Sequence, residues 1–427
     1  MTAGITPWPL SAKSASALAG TAATLQRVLE DQPDTDPADV AHALGNDRAS
    51  FRHRAVIVGA GRGELLAGLR AIASGTPSPG VITGRATGAS RTAFVFPGQG
   101  SLWVGMASEL LDAAGAFADE MRQCDDAFAE FLDWSLIRTL RGEPGSPGVD
   151  RHDVAQPILF AVMVSLAAQW RALGVEPDAV VGHSQGEVAA AYVAGALCLR
   201  DAARVLCAQC EAITGVVGSG IAVSIPEPVD HVCELIDACD GSIAIAERNS
   251  PSSTVVAGSA VAIADLLTRC ECEHPPVKRI PLPYASHSVH MDELRESLRQ
   301  QLADVRPGPT PVTVISTVTG AAADASVLDG DYWFANLRQP VLFEDAVRWA
   351  YGRGYRTFIE CSPQQILSAD IEESLDDCGD DVTVVGTLRS DDGSVRRFLM
   401  SLAQSHVRGT SPNWTSVLDA FGHRQRG

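Results

Sequence analysis

The stretch Asp178-Ala-Val-Val-Gly-His-Ser184-Gln-Gly186-Glu constrains what this chain can fold into more than any other. A short β-branched run enters Gly-His-Ser-Gln-Gly, and an alanine-rich segment from Glu187 to Leu197 leaves it. A strand that turns at once into a helix needs glycine where the reversing backbone would otherwise collide, and both flanking positions are glycine. Such a turn is a nucleophile elbow, and it lifts the hydroxyl of Ser184 beside the N–H groups of a new helix. The same short pattern also suits an ordinary strand–helix turn, so its neighbours decide.

The 427 residues exceed one typical domain and predict two or three compact units. With 46% hydrophobic and 20% charged residues, the chain can bury a sizeable core. A net charge of -19 opposes nucleic acid or an anionic membrane as partner. No apolar run approaches the ~20 residues of a membrane span. The N-terminus lacks a charged-then-apolar signal pattern, and a cytoplasmic location is expected. Ten cysteines are too dilute for a disulfide framework. Cys207-x-x-Cys210 and Cys270-x-Cys272 look like ligand pairs, but the first sits in a helical pattern and no second CxxC stands at zinc-finger spacing. Buried free thiols and no metal are expected.

Helical apolar spacing marks Ser14 to Leu29, Pro37 to Leu44 and Arg62 to Ala73, with a strand at Ala55-Val-Ile-Val58. Ser74 to Ser90 is rich in turn formers and predicts a surface linker. Alternating strand and helix signals then run from Thr92-Ala-Phe-Val-Phe96 to about Leu388, which predicts an α/β body with a largely parallel sheet. Within it, short strands alternate with two acidic helices between Gly220 and Arg279, the β-α-β-β-α-β order of a ferredoxin-like insert. The expected units are 1–90, a main body of 91–219 with 281–388, an insert of 220–280, and a tail of 389–427. The tail should carry a helix near Ser394 to Val407 and then a polar, extended end.

Acyl chemistry at a serine needs an oxyanion hole and a base. Phe96-Pro-Gly98-Gln99-Gly100 follows the first strand of the body, where glycines let backbone N–H groups approach a ligand. One such N–H, with that of Gln185 after Ser184, would make two donors for a tetrahedral intermediate. Of ten histidines, His183 points away if the elbow is normal, and His42, His53, His406 and His423 fall in flanking segments as expected surface residues. His287 and His290 both lie in the loop after the insert, and residue type alone leaves both open as the base.

These motifs occur in an order that resembles the acyltransferase domain of a modular type I polyketide synthase, and more distantly the malonyl-CoA:acyl carrier protein transacylases. The resemblance is carried by Phe96-Pro-Gly-Gln-Gly-Ser101, Val154-Ala-Gln156-Pro, Gly182-His-Ser-Gln-Gly186-Glu, Asp201-Ala-Ala-Arg204, Tyr284-Ala-Ser-His287-Ser, Tyr332-Trp333 with Asn336-Leu-Arg, and Ser362-Pro363. It implies an α/β-hydrolase-like body with a ferredoxin-like small subdomain. It also implies that 1–90 is the linker subdomain that joins ketosynthase to acyltransferase, and that 389–427 is the linker after it. By the same resemblance Ser184 is the nucleophile and His287 the base, oriented by backbone carbonyls rather than a carboxylate. Gln99 and Gln185 supply oxyanion N–H groups. His183, Gln156, Tyr284, Ser286 and the residue at 209 face the substrate. The implied reaction passes an acyl group from acyl-CoA or an acylated carrier protein to the phosphopantetheine thiol of an acyl carrier protein, beside other synthase domains, with no bound cofactor.

Two positions depart from the family pattern. Members that load malonyl-type units carry an arginine where this chain has Gln209, in Cys207-Ala-Gln-Cys210. A carboxylate left without that cation in a partly buried pocket would cost on the order of 3–5 kcal/mol. The expected acyl group is therefore uncharged, a monocarboxylic starter or specialised unit, and Tyr284-Ala-Ser-His287 resembles the version found with α-methylated units. The alternatives are a carrier-protein thioester hydrolase of the same fold, and a methylmalonyl-type extender enzyme in which Gln209 is neutral or Arg204 substitutes for the cation. Gln364 replaces a usual histidine after Ser362-Pro, with no consequence assigned from sequence.

Overall fold

The computed structural model describes residues 4–422 except 47–49, 89, 99, 101, 114, 219, 238, 240–242, 271–276, 281–283 and 380. Strands β1 (Ile5–Ala12), β2 (His53–Ala60) and β3 (Val81–Arg85) form an antiparallel sheet in that order. After β4 (Arg91–Phe96) and β5 (Ala179–Gly182) come β6 (Ile221–Ile225), β7 (Ile243–Ser250), β8 (Ser253–Gly258) and β9 (Lys278–Ile280). Then follow β10 (Thr313–Ser316), β11 (Ala321–Ala323), β12 (Val341–Leu342), β13 (Tyr355–Glu360) and β14 (Thr383–Gly386).

The main sheet has the order β11-β10-β5-β4-β13-β14 and is parallel except at β11. Its central strands are apolar on both faces because helices cover both. Phe94 and Phe96 of β4 enter one core and Ala93 and Val95 the other, the alternation that a pleated strand imposes. The helix His152–Ala172 fills the first core. By length and composition it is apolar enough to cross a bilayer, which exceeds what the sequence suggested, but 83% of its most apolar window is buried within the protein.

The strands between 221 and 280 form a third sheet in the ferredoxin-like order β9-β6-β8-β7, with helices Val229–Asp237 and Ala260–Cys270 in the connections. One strand was not foreseen. β12 leaves the main body and adds to this sheet, parallel to β7, with Val341 opposite Glu247 and Leu342 opposite Arg248.

Other departures have local causes. Ser74 to Ser90 is not all linker, since its Val81–Arg85 pairs with β2. The small residue Gly84 reads as a loop former, but a Cβ there would lie 2.7 Å from Val407, so glycine serves close packing against a helix. β1 was missed because Pro7 and Pro9 interrupt it, and an edge strand tolerates missing donors. The tail is not extended: after the helix Val395–Arg408, a second helix, Trp414–Phe421, is capped by Asn413 and buries Trp414, Val417 and Leu418. His406 is no surface residue. Burial, then the nearby Arg54, lowers its pKa to about 4, and Arg54 Nη1 donates to its carbonyl at 2.7 Å.

Candidate active site

β5 ends at Gly182, and the helix Gly186–Ala194 begins four residues later. Ser184, between them, has φ +53°, a left-handed conformation that costs a side-chain-bearing residue roughly 1–3 kcal/mol. The surroundings hold it there. Its carbonyl accepts from Glu187 N at 3.0 Å and from Asn336 Nδ2 at 3.0 Å. Both glycines are sterically required, because a Cβ on Gly182 would sit 2.2 Å from Glu187 Cα and one on Gly186 would sit 2.1 Å from Phe96 O. Gly98 lies as close on the other side, where a Cβ would meet His183 O at 2.4 Å and Ser184 Cβ at 2.8 Å. Gln99, the expected oxyanion donor after it, lies outside the described residues, as does Cys272 of the Cys270-x-Cys272 pair.

His287 Nε2 lies 2.8 Å from Ser184 Oγ. Its Nδ1 is 2.8 Å from Gln339 O, and because a carbonyl can only accept, Nδ1 carries the proton and Nε2 presents its lone pair to the serine. The His287 backbone, also left-handed at φ +55°, donates to Leu337 O at 3.0 Å. Burial lowers the pKa of His287, partly offset by the charge of Glu247 and the Gln339 carbonyl, so the ring is neutral near neutral pH. His290 is not among the described residues that line the dyad cavity, and its backbone N–H donates to Ser288 Oγ.

One helix, Gly330–Arg338, supplies much of this order. Trp333 O accepts from Gln209 Nε2 at 3.1 Å, while Asn336, Leu337 and Gln339 hold the serine and histidine. Under the elbow, the fully buried Glu187 accepts from Thr317 N at 2.8 Å, from Thr317 Oγ1 at 2.5 Å and from Tyr332 Oη. Burial raises its pKa, against these hydrogen bonds. Glu360 does a similar task at the end of β13, accepting from the N–H groups of Ile366 and Leu367. Sequence reasoning found no role for Asn336, Glu187 or Gln339. Asn336 and Glu187 stood in recognisable motifs, whereas a backbone acceptor such as Gln339 leaves no side-chain signal.

A cavity of about 180 Å³ reaches the dyad, with Ser184, His287, His183, Ser286, Glu247 and Asp370 in its wall. His183 Nε2 is 2.8 Å from Asn249 Oδ1, and Asn249 Nδ2 donates to Glu247 at 2.9 Å. The other expected substrate residues do not line it. Gln209 is fully buried, its amide spent on Trp333 and on a 3.4 Å contact from Gln185 Nε2. Gln156 is buried at the start of its helix, and the Tyr284 hydroxyl lies 3.3 Å from His152 Nδ1. A larger cavity of about 740 Å³ borders Arg204, Cys207, Glu211 and Thr214, which project from the Leu199–Thr214 helix away from Gln209. Arg204 therefore stands outside the dyad cavity, 3.7 Å from Asp304. Gln364 is turned out as well, accepting from Ser390.

Residues 93–412 match the acyl transferase domain family, and residues 8–69 match a family described as CurL-like, PKS C-terminal. The chain is 48% identical over 422 residues to mycoketide-CoA synthase of Mycobacterium tuberculosis, covering 98% of this chain and 10% of that protein. Across the curated polyketide synthases it matches, it spans from 6% to 26% of their length. Among solved structures, the acyltransferase domain from module 8 of the salinomycin polyketide synthase is similar at TM-score 0.93 and 44% identity, over 96% of this chain and 98% of that one. A loading acyltransferase from the avermectin modular polyketide synthase is similar at TM-score 0.70 and 42% identity, over 74% and 99%.

Proposed function

We propose, for a chain that belongs to the acyltransferase domains of polyketide synthases, that Ser184 takes an acyl group from a thioester donor and passes it to the phosphopantetheine thiol of an acyl carrier protein. The observation that carries this reading is the 2.8 Å contact from Ser184 Oγ to a histidine whose other nitrogen is held by a carbonyl. Ser184 Oγ attacks the thioester carbonyl as its proton moves to His287 Nε2. The oxyanion is met by the N–H of Gln185 at the helix start and by one from Gln99. Collapse expels the donor thiolate, which takes the proton from His287 and leaves an ester on Ser184. The carrier thiol then gives its proton to His287, attacks the ester, and the proton returns to Ser184. His287 needs no buried carboxylate for this, because its proton-bearing Nδ1 already has an acceptor.

The acyl group in this reading is uncharged. Gln209 offers no cation, Arg204 stands elsewhere, and no lysine or arginine is among the described residues lining the dyad cavity. A cavity of about 180 Å³ suits a short acyl chain and the thiol end of its carrier. Likeness to a protein named a loading acyltransferase supports a starter-type unit. The test is incubation with propionyl-, isobutyryl-, malonyl- and methylmalonyl-CoA, reading the Ser184 adduct by intact mass. Propionyl or isobutyryl adducts should form fastest and none should form in Ser184→Ala. A wild-type preference for methylmalonyl-CoA overturns the substrate assignment, and a full-size adduct in Ser184→Ala overturns the nucleophile.

A further inference from the structure

The wall of the dyad cavity carries two carboxylates, Glu247 and Asp370. Glu247 extends from β7 to within 3.6 Å of His183 Nε2, and His183 is the residue before the nucleophile. The neutral amide of Asn249 donates to Glu247 at 2.9 Å, and no arginine or lysine is among the described residues lining the cavity to cancel its charge. The neighbouring Arg248 is directed to Asp345, 3.1 Å away. We propose that Glu247 is a specificity-determining residue of this acyl transfer, repelling a second carboxylate on the acyl group and favouring a neutral or cationic one.

The chemistry of the donors makes this unavoidable in the cavity. In a malonyl-type unit only one carbon separates the attacked carbonyl from the free carboxylate, so a donor poised over Ser184 must bring that charge into the same small space. The field of Glu247 already reaches the dyad, since it is the largest influence opposing the burial of His287. Asp370 has the same sign, and burial raises its pKa, which disfavours its charged form. One unit charge acting across several ångströms of partly solvated cavity changes a rate by roughly tenfold. The inference rests on the acyl-transfer reading but not on any role for Gln209.

The test uses the full chain and three short donors that differ in charge: propionyl-CoA, methylmalonyl-CoA and β-alanyl-CoA. In Glu247→Gln, which keeps an acceptor for Asn249, the methylmalonyl-to-propionyl ratio of acylation rates should rise about tenfold and the β-alanyl-to-propionyl ratio should fall. Asp370→Asn should shift both ratios the same way by less, and carries the test if Glu247→Gln does not fold. Ratios that stay within twofold of wild type, or a slowing equal for all three donors, refute the proposal. Wild-type preference for methylmalonyl-CoA would overturn the uncharged-donor reading while leaving this ratio shift measurable. Absence of every adduct would overturn acyl transfer itself.

Discussion

Replacing Gly98 with alanine tests whether the Pro97–Gly98 turn is seated directly against the elbow. The φ of Gly98 is not in the left-handed region, so an alanine meets no backbone penalty and contact alone decides the outcome. The new methyl would lie 2.4 Å from His183 O, where ordinary contact begins at 3.4 Å, and 3.4 − 2.4 leaves 1.0 Å to be found. Its other neighbours, Ser184 Cβ at 2.8 Å and Gln185 N at 3.3 Å, belong to the same rigid turn, so the elbow cannot yield by moving one side chain. Either the turn lifts or the elbow sinks, and both move the Pro97–Gly98 turn away from Ser184 and from the oxyanion N–H of Gln185 that travels with it. A displacement of about 1 Å at a reacting centre costs on the order of a hundredfold in rate. The overpacking itself should cost about 1–3 kcal/mol of stability. Single-turnover acylation of Ser184, followed by intact mass, reads the first effect and a urea unfolding curve reads the second. A Gly98→Ala protein that acylates within threefold of wild type, with an unchanged unfolding midpoint, would refute the close approach.

His287→Ala should slow acylation by roughly two to four orders of magnitude, whereas His290→Ala should change it little, and equal losses would misplace the base. The pH profile has a defined sign. The neutral ring is the competent form and burial lowers its pKa, so the wild-type rate should stay flat at neutral pH and fall only below the ordinary imidazole value of 6.5. A midpoint above 6.5 would contradict the buried environment. Glu187→Ala removes the acceptor of Thr317 N, whereas Thr317 Oγ1 still reaches Gly182 O at 3.0 Å and Tyr332 Oη still reaches Ser316 Oγ at 2.7 Å, so one stranded donor should cost about 1–3 kcal/mol in urea unfolding. An unchanged unfolding midpoint would show that Thr317 N finds another partner.

The elbow was legible in the sequence because its determinants are local: two glycines and a serine meet the steric needs of one turn. His287 and His290 could not be separated that way. What distinguishes them is the carbonyl of Gln339, brought in from 52 residues away by the helix Gly330–Arg338. Gln209 shows the limit of reasoning by position. The missing arginine was visible, yet the structure turns the glutamine amide into a link between Gln185 and Trp333 rather than into the dyad cavity. Glu247 left no signal because its meaning depends on the pairing of β7 with its neighbours. The Trp414–Phe421 helix was hidden by its length, since eight residues show too few turns for the apolar spacing to stand out.

The edge strand β12 has a practical consequence for recombining such proteins. It begins two residues after Gln339, and its Val341 lies opposite Glu247. The chain that aims the histidine is thus the chain that completes the small sheet, although the two are distant in sequence. A transplant of 220–280 from a relative would leave that strand behind and pair a foreign β7 with a native border. Hybrids that also carry 339–342 from the donor keep the border and the histidine in register. Junctions drawn from sequence continuity alone would cut through a strand that sews the two sheets together.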